Sequence, residues 1–180
     1  MIRQILKASI RRFAARYDYD ADYMIDIVDT SVSAGLRLAA LPLFTQFAGP
    51  KAARDIRAGA VLASTLDGDC GPCVQLVFDM AVEAKVPANL LVSCLRGRPD
   101  MAGEVGLGFR FAQAAIADSP DLEEIRAEIE RRHGKPAVVV AVFAASSGRI
   151  YPVLKRGLGF GQTCSKVEHA GEAIRIMKPR

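Results

Sequence analysis

Apolar positions recur at helical spacing along most of this chain. Ile2, Ile5, Leu6, Ile10, Phe13 and Tyr17 form one stripe, with Arg3, Lys7, Arg11 and Arg12 on other faces. This predicts an N-terminal helix docked on the body; a membrane-surface or targeting helix is the competing reading. An acidic run follows, from Asp18 to Asp29, and its early members suit a helix N-terminus. It lacks the Gly and the closing Glu of a calcium loop. The helical pattern resumes from about Ala21 to Phe47, with a break expected before Pro42, and Gly49-Pro50 marks a turn. Helices are expected over Lys51–Ser64, Cys70–Ala84, Pro87 to about Gly97, Met101–Ala117 and Pro120–Arg132. The last of these carries interleaved Glu and Arg, as a solvated, salt-bridged face does. Pro136 to Phe143 stays open: its valines favour a strand, and its Ala-rich continuation fits a buried helix equally well.

These patterns predict an all-α protein, one compact domain overall. Residues 1–50 read as a helical extension packed on the body and 51–180 as the helical core. Composition agrees. Hydrophobic residues make up 51% of the chain, Trp is absent and the mean hydropathy is +0.16. Ala, Leu, Val and Ile carry the core, and that much apolar surface suggests a homo-oligomer. The net charge of +4 does not imply nucleic acid. Val32–Ala48, interrupted by Arg37, and Ala137–Ala145 fall short of a membrane span. Met1–Arg16 carries five spread basic residues and no apolar stretch of the signal-peptide kind, so a reducing cytoplasm is the expected location.

In such a compartment a close cysteine pair points to chemistry. Cys70 and Cys73 stand in Asp69-Cys70-Gly71-Pro72-Cys73. If a helix begins there, its unpaired N–H groups and dipole favour thiolate, the nucleophile of disulfide exchange and peroxide attack. Pro72 lacks an N–H, which costs little in a first helical turn. Two packing cysteines, or half of a metal site, are the alternatives. Asp67 and Asp69 flank the motif as helix caps or as proton acceptors. His133 reads as a helix C-terminal residue before Gly134, with a relay role as the alternative. His169 falls in an exposed-looking tail, and Cys94 and Cys164 read as buried single thiols. Tyr151 could reach the thiols, but nothing in the sequence brings it there. Gly157, Gly159 and Gly161 suggest a turn, beside which Lys155, Arg156 and Lys166 could hold an anion.

Cys-Gly-Pro-Cys also occurs in thioredoxin, but there it follows a buried strand and usually a Trp. Here Asp69 precedes Cys70 and the surroundings read as helix. Lys51 to about Ala117 resembles the alkylhydroperoxidase-D-like, or carboxymuconolactone decarboxylase, family. The likeness rests on Ala63-Ser64-Thr65-Leu66-Asp67-Gly68-Asp69, then Cys70 to Leu76, then the helix junction Ala81 to Pro87. It implies an all-helical oligomer with thiol peroxidase or disulfide chemistry. The substrate would be a small hydroperoxide or disulfide, the reductant an external thiol, and no cofactor or metal would be needed. Cys73 would attack the peroxide, and Cys70 would be the resolving, partner-facing thiol. The chain departs from the family at two places. Val77 replaces the His four residues after the second Cys, and Ala58 and Gly59 stand where a Glu is found. A weak peroxidase or disulfide oxidoreductase is therefore expected, and a non-catalytic helical oligomer or binding module is the rival.

Overall fold

The computed structural model describes residues 1–161 and 166–177 and is mostly helical. Four helices precede Lys51: α1 (Ile2–Tyr17), α2 (Asp22–Thr30), α3 (Val32–Ala40) and the short α4 (Pro42–Thr45). The expected break before Pro42 occurs, and a second falls at Ser31. Its extended backbone ends α2, and its hydroxyl caps α3 by accepting from the Ala34 N–H. Then come α5 (Arg54–Asp67), α6 (Gly71–Glu83), α7 (Ala88–Leu95), α8 (Gly103–Ala117), α9 (Leu122–His133), α10 (Lys135–Ser147) and α11 (Ile150–Gly157).

The main core lies among α5, α8 and α10. Gly59 and Gly108 let α5 and α8 touch through their backbones: a Cβ on Gly59 would stand 1.8 Å from the Val105 carbonyl oxygen, and one on Gly108 1.9 Å from that of Ile56. The open question over Pro136–Phe143 resolves as helix. Pro136 occupies the first turn of α10, where its missing N–H is harmless, and small Ala residues let the valines pack against α5, α8 and α9. Together 135–157 is long and apolar enough to cross a membrane by length and composition, a length the sequence reading did not anticipate. Half of its most apolar window is buried inside the protein, as in a core helix.

The tail differs from expectation. Lys166–His169 (β1) and Glu172–Arg175 (β2) form an antiparallel hairpin, with Val167 paired to Ile174 and both buried. Gln75 clasps it from α6: its Nε2 donates to the Glu168 carbonyl at 3.0 Å, and its Oε1 accepts from the Glu168 N–H at 2.7 Å. His169 is half-buried, its ring 5.2 Å from that of Phe78, so it is no exposed tail residue.

The first helices form a layer with its own apolar cluster, Tyr19, Ala21, Tyr23 and Met24, joined by Ile10, Phe13, Leu76 and Tyr151. In α1, Leu6, Ile10, Phe13 and Tyr17 turn towards the protein, while Ile2 and Ile5 remain exposed. Lys7 pairs with Asp29 at 2.7 Å, and the Tyr17 hydroxyl donates to Glu83 of α6 at 2.6 Å. Exposed pairs of this kind stabilise by about 0–1 kcal/mol, so apolar contact holds the layer down.

Candidate functional site

Helix α5 ends at Asp67, Gly68 and Asp69 turn the chain, and Cys70 is the N-cap residue of α6. Asp69 adopts a left-handed backbone (φ 51°), and its N–H reaches the Leu66 carbonyl at 3.0 Å. Pro72 is the second residue of α6 and Cys73 the third. The extended Cys70 backbone and the first helical turn bring the two Cα atoms to 5.2 Å, and the sulfurs are joined as a disulfide. Gly71 and Cys73 belong to the first turn of α6, where backbone N–H groups have no partner within the helix. Both cysteines are buried, at 4% and 3% exposure.

Cys73, but not Cys70, lines a partly open cavity of about 280 Å³ between the first layer, the α5–α6 pair and the α10–α11 junction. Most of its wall is apolar. Val77 and Leu76 continue from Cys73 along α6, so the turn after the thiol is apolar, as the sequence indicates. The polar neighbour comes from elsewhere. The Tyr19 hydroxyl lies 3.6 Å from Cys73 Sγ and 3.5 Å from the Tyr23 hydroxyl. A disulfide sulfur has no proton, so Tyr19 is the only donor that contact can have, and its single proton is shared between Cys73 Sγ and the Tyr23 hydroxyl. Burial raises the pKa values of Tyr19, Tyr23 and Tyr151, keeping all three protonated at neutral pH.

Behind the tyrosines sits Lys155, at 0% exposure. Its Nζ is 5.0 Å from the Tyr19 ring centroid and 5.6 Å from that of Tyr23, with Asp20 as counter-ion at 3.4 Å. Lys155, Arg156 and Lys166 do not converge on an anion site. Arg156 donates to the Gly68 carbonyl at 3.1 Å, and Lys166 pairs with Glu168.

The sequence candidates divide. Cys70 and Cys73 come together, and Tyr151 lines the same cavity. Asp67 pairs with Arg149 at 2.9 Å beside the turn, and Asp69 is half-buried within it. His133 lies outside the cavity wall: its Nε2 stands 2.7 Å from Glu104, joining the end of α9 to α8. Cys94 is a buried free thiol, pushed up to about 12 by burial, and Cys164 lies outside the described residues. Among the described residues no group of three His, Cys, Asp or Glu side chains could hold a metal.

Sequence reasoning missed Tyr19, Tyr23 and Arg57. Tyr19 lies in the connection between α1 and α2 and Tyr23 at the start of α2, so no helical periodicity links the pair, and the sequence carries no signal that would have singled them out. Arg57 lines the cavity from α5, immediately before Ala58 and Gly59. Comparisons with family models, curated proteins and solved structures return no match for this chain.

Proposed function

We propose that this protein is a thiol–disulfide oxidoreductase with slow alkyl hydroperoxide reductase activity, on a helical core of the alkylhydroperoxidase-D-like kind. The observation carrying this reading is the Cys70–Cys73 disulfide at the start of α6, with Cys73 open to an apolar cavity and faced by a protonated Tyr19. In the reduced protein, Cys73 thiolate attacks the terminal peroxide oxygen. The O–O bond breaks, the alkoxide leaves and is protonated to the alcohol, and Cys73 becomes a sulfenic acid. The Cys70 thiolate then attacks the sulfenic sulfur, the disulfide forms and water leaves. An external dithiol restores the pair with two electrons and two protons: its thiolate attacks Cys70, expelling Cys73 thiolate, and its second thiol resolves the mixed disulfide. Tyr19 and the α6 N–H groups stabilise the expelled thiolate. The burial of both sulfurs favours a small or slender reductant over a bulky protein surface.

A cycle that needs repeated reduction suits the cytoplasm. The exposed apolar residues of α4 and α10, Leu43 at 85% exposure among them, suit burial in a homo-oligomer. Val77 beside the thiol favours the non-catalytic rival, in which the pair is a packing element. The experiment that decides is hydroperoxide turnover with a small dithiol, together with mass mapping of the disulfide. Slow turnover abolished by Cys73→Ser supports the oxidoreductase. A pair that resists reduction in the folded protein, with no turnover, supports the rival.

A further inference from the structure

Among the described residues, Arg57 is the one charged residue in the cavity wall. It is half-buried, and no carboxylate pairs with it among the described residues. Its Nε donates to the Phe47 carbonyl at 3.1 Å and its Nη2 to that of Thr45 at 3.4 Å. These two bonds fix the guanidinium plane at the end of α4 and leave Nη1 without a hydrogen bond among the described residues. Burial lowers the Arg57 pKa, yet a guanidinium stays charged in proteins, so the cavity keeps an unneutralised cation. The remaining wall is uncharged and largely apolar, with Leu6, Ile10, Phe13, Leu38 and Met80 among its side chains.

The helices give this wall a direction. Arg57, Val61 and Thr65 recur every four residues, so they run as one stripe along α5 facing the cavity. From Arg57 to Thr65 the stripe covers about 12 Å at 1.5 Å per residue. Only Gly68 to Cys70 connect α5 to α6, so Thr65 and Cys73 lie near that turn. The cation and the sulfur therefore sit at opposite ends of an apolar channel. Its volume is near the lower end of ligand pockets, about 300 Å³ and upward.

We propose that the cavity binds a medium-chain amphipathic carboxylate, its headgroup on Arg57 and its apolar chain directed along α5 towards Cys73. A single cation matches a single carboxylate charge, and the free edge of the guanidinium suits a planar acceptor. The substrate class thus becomes a hydroperoxide whose chain ends in a carboxylate; that last step rests on the thiol reading above, whereas the binding itself does not.

The test uses calorimetry on the oxidised full chain with decanoate, decan-1-ol and decyltrimethylammonium as probes. Decanoate should bind and the cationic analogue should not. Arg57→Gln should weaken decanoate by about tenfold or more, the scale of a lost charge-assisted hydrogen bond, and leave decan-1-ol unchanged. Arg57→Lys should fall between. Because Arg57 also holds the Thr45 and Phe47 carbonyls, Val61→Phe serves as a second variant: it fills the channel and should exclude decanoate and decan-1-ol alike. In the reduced protein, bound decanoate should slow alkylation of Cys73. Failure of decanoate to bind, or equal affinity in the parent and a folded Arg57→Gln variant, overturns the proposal, even where dithiols still exchange with the disulfide. Decanoate binding that depends on Arg57 in a protein whose disulfide proves inert upholds the site and removes the thiol reading instead.

Discussion

Replacing Tyr19 by Phe removes one oxygen and little else. The ring keeps its edge contact with Phe13, at 6.1 Å, and its place beneath the Lys155 ammonium. What disappears is the only side-chain donor to Cys73 Sγ among the described residues, along with a long contact to Tyr23. A hydrogen bond to a charged group contributes about 1.5–3 kcal/mol. At 3.6 Å to sulfur the lower end applies, and 1.36 kcal/mol is about one pKa unit. The Cys73 thiol of the reduced protein should therefore rise by about one unit in Tyr19→Phe. Hydroperoxide turnover below that pKa should fall about tenfold, while stability changes by no more than about 1 kcal/mol. Tyr23→Phe, one hydroxyl further away, should shift the pKa much less. The assay is the pH dependence of alkylation in a Cys70→Ser, Cys164→Ser background. Cys94 stays silent there, because its thiol lies at about 12. A folded Tyr19→Phe protein with unmoved pKa and rate would leave the helix N-terminus as the sole activator and refute the role given to Tyr19.

Three further outcomes are expected. Val77→His puts an imidazole one turn beyond Cys73 and should raise hydroperoxide turnover, towards about 10²-fold; peroxidase kinetics check this, and Cys73→Ser should abolish the gain. Light scattering should give a mass above the 19.4 kDa of one chain, reduced by Val142→Glu, because Val142 is exposed beside the Phe44–Phe47–Phe143 ring cluster. Stability should decline in alkali. Buried Tyr19, Tyr23, Tyr151 and Cys94 hold their protons above their ordinary values, whereas the unfolded chain begins to release them near pH 9–10. Their favourable effect is complete below that range and is lost as pH rises, at up to about 1.4 kcal/mol per pH unit for each group; denaturant titrations from neutral to alkaline pH measure the slope.

The helical stretches were legible because their apolar repeats are long and their stops are Gly and Pro. The thiol pair was legible because its spacing is local. Ser31 was not, since no Gly or Pro marks it and it acts through its extended backbone and one capping bond. Nor was the hairpin: Val167 and Ile174 are single buried residues in short polar strands, and their partners lie on α6 and α7. The cavity groups were the hardest to read. Tyr19 meets Cys73 across 54 positions of sequence and Lys155 meets Asp20 across 135, and no periodicity encodes contacts of that range. Lys155 in particular looks like a surface cation in a Gly-rich stretch, yet it is fully buried by rings from the other end of the chain.

Helix α11 and the residue before it grip both banks of the disulfide. Arg149 holds Asp67 and Arg156 holds the Gly68 carbonyl on the side of the turn; Lys155 holds Asp20 and lies against Tyr19 on the other. Opening the disulfide frees the start of α6, but both the loop that precedes it and the tyrosine that faces it stay moored to one short rod. The rod in turn meets α10 at Gly148, where a side chain would collide with Ser64 of α5. On the proposed thiol chemistry, reduction is then a local event in a clamped frame, because the contacts that hold the turn and Tyr19 run through α11 and not through the sulfurs.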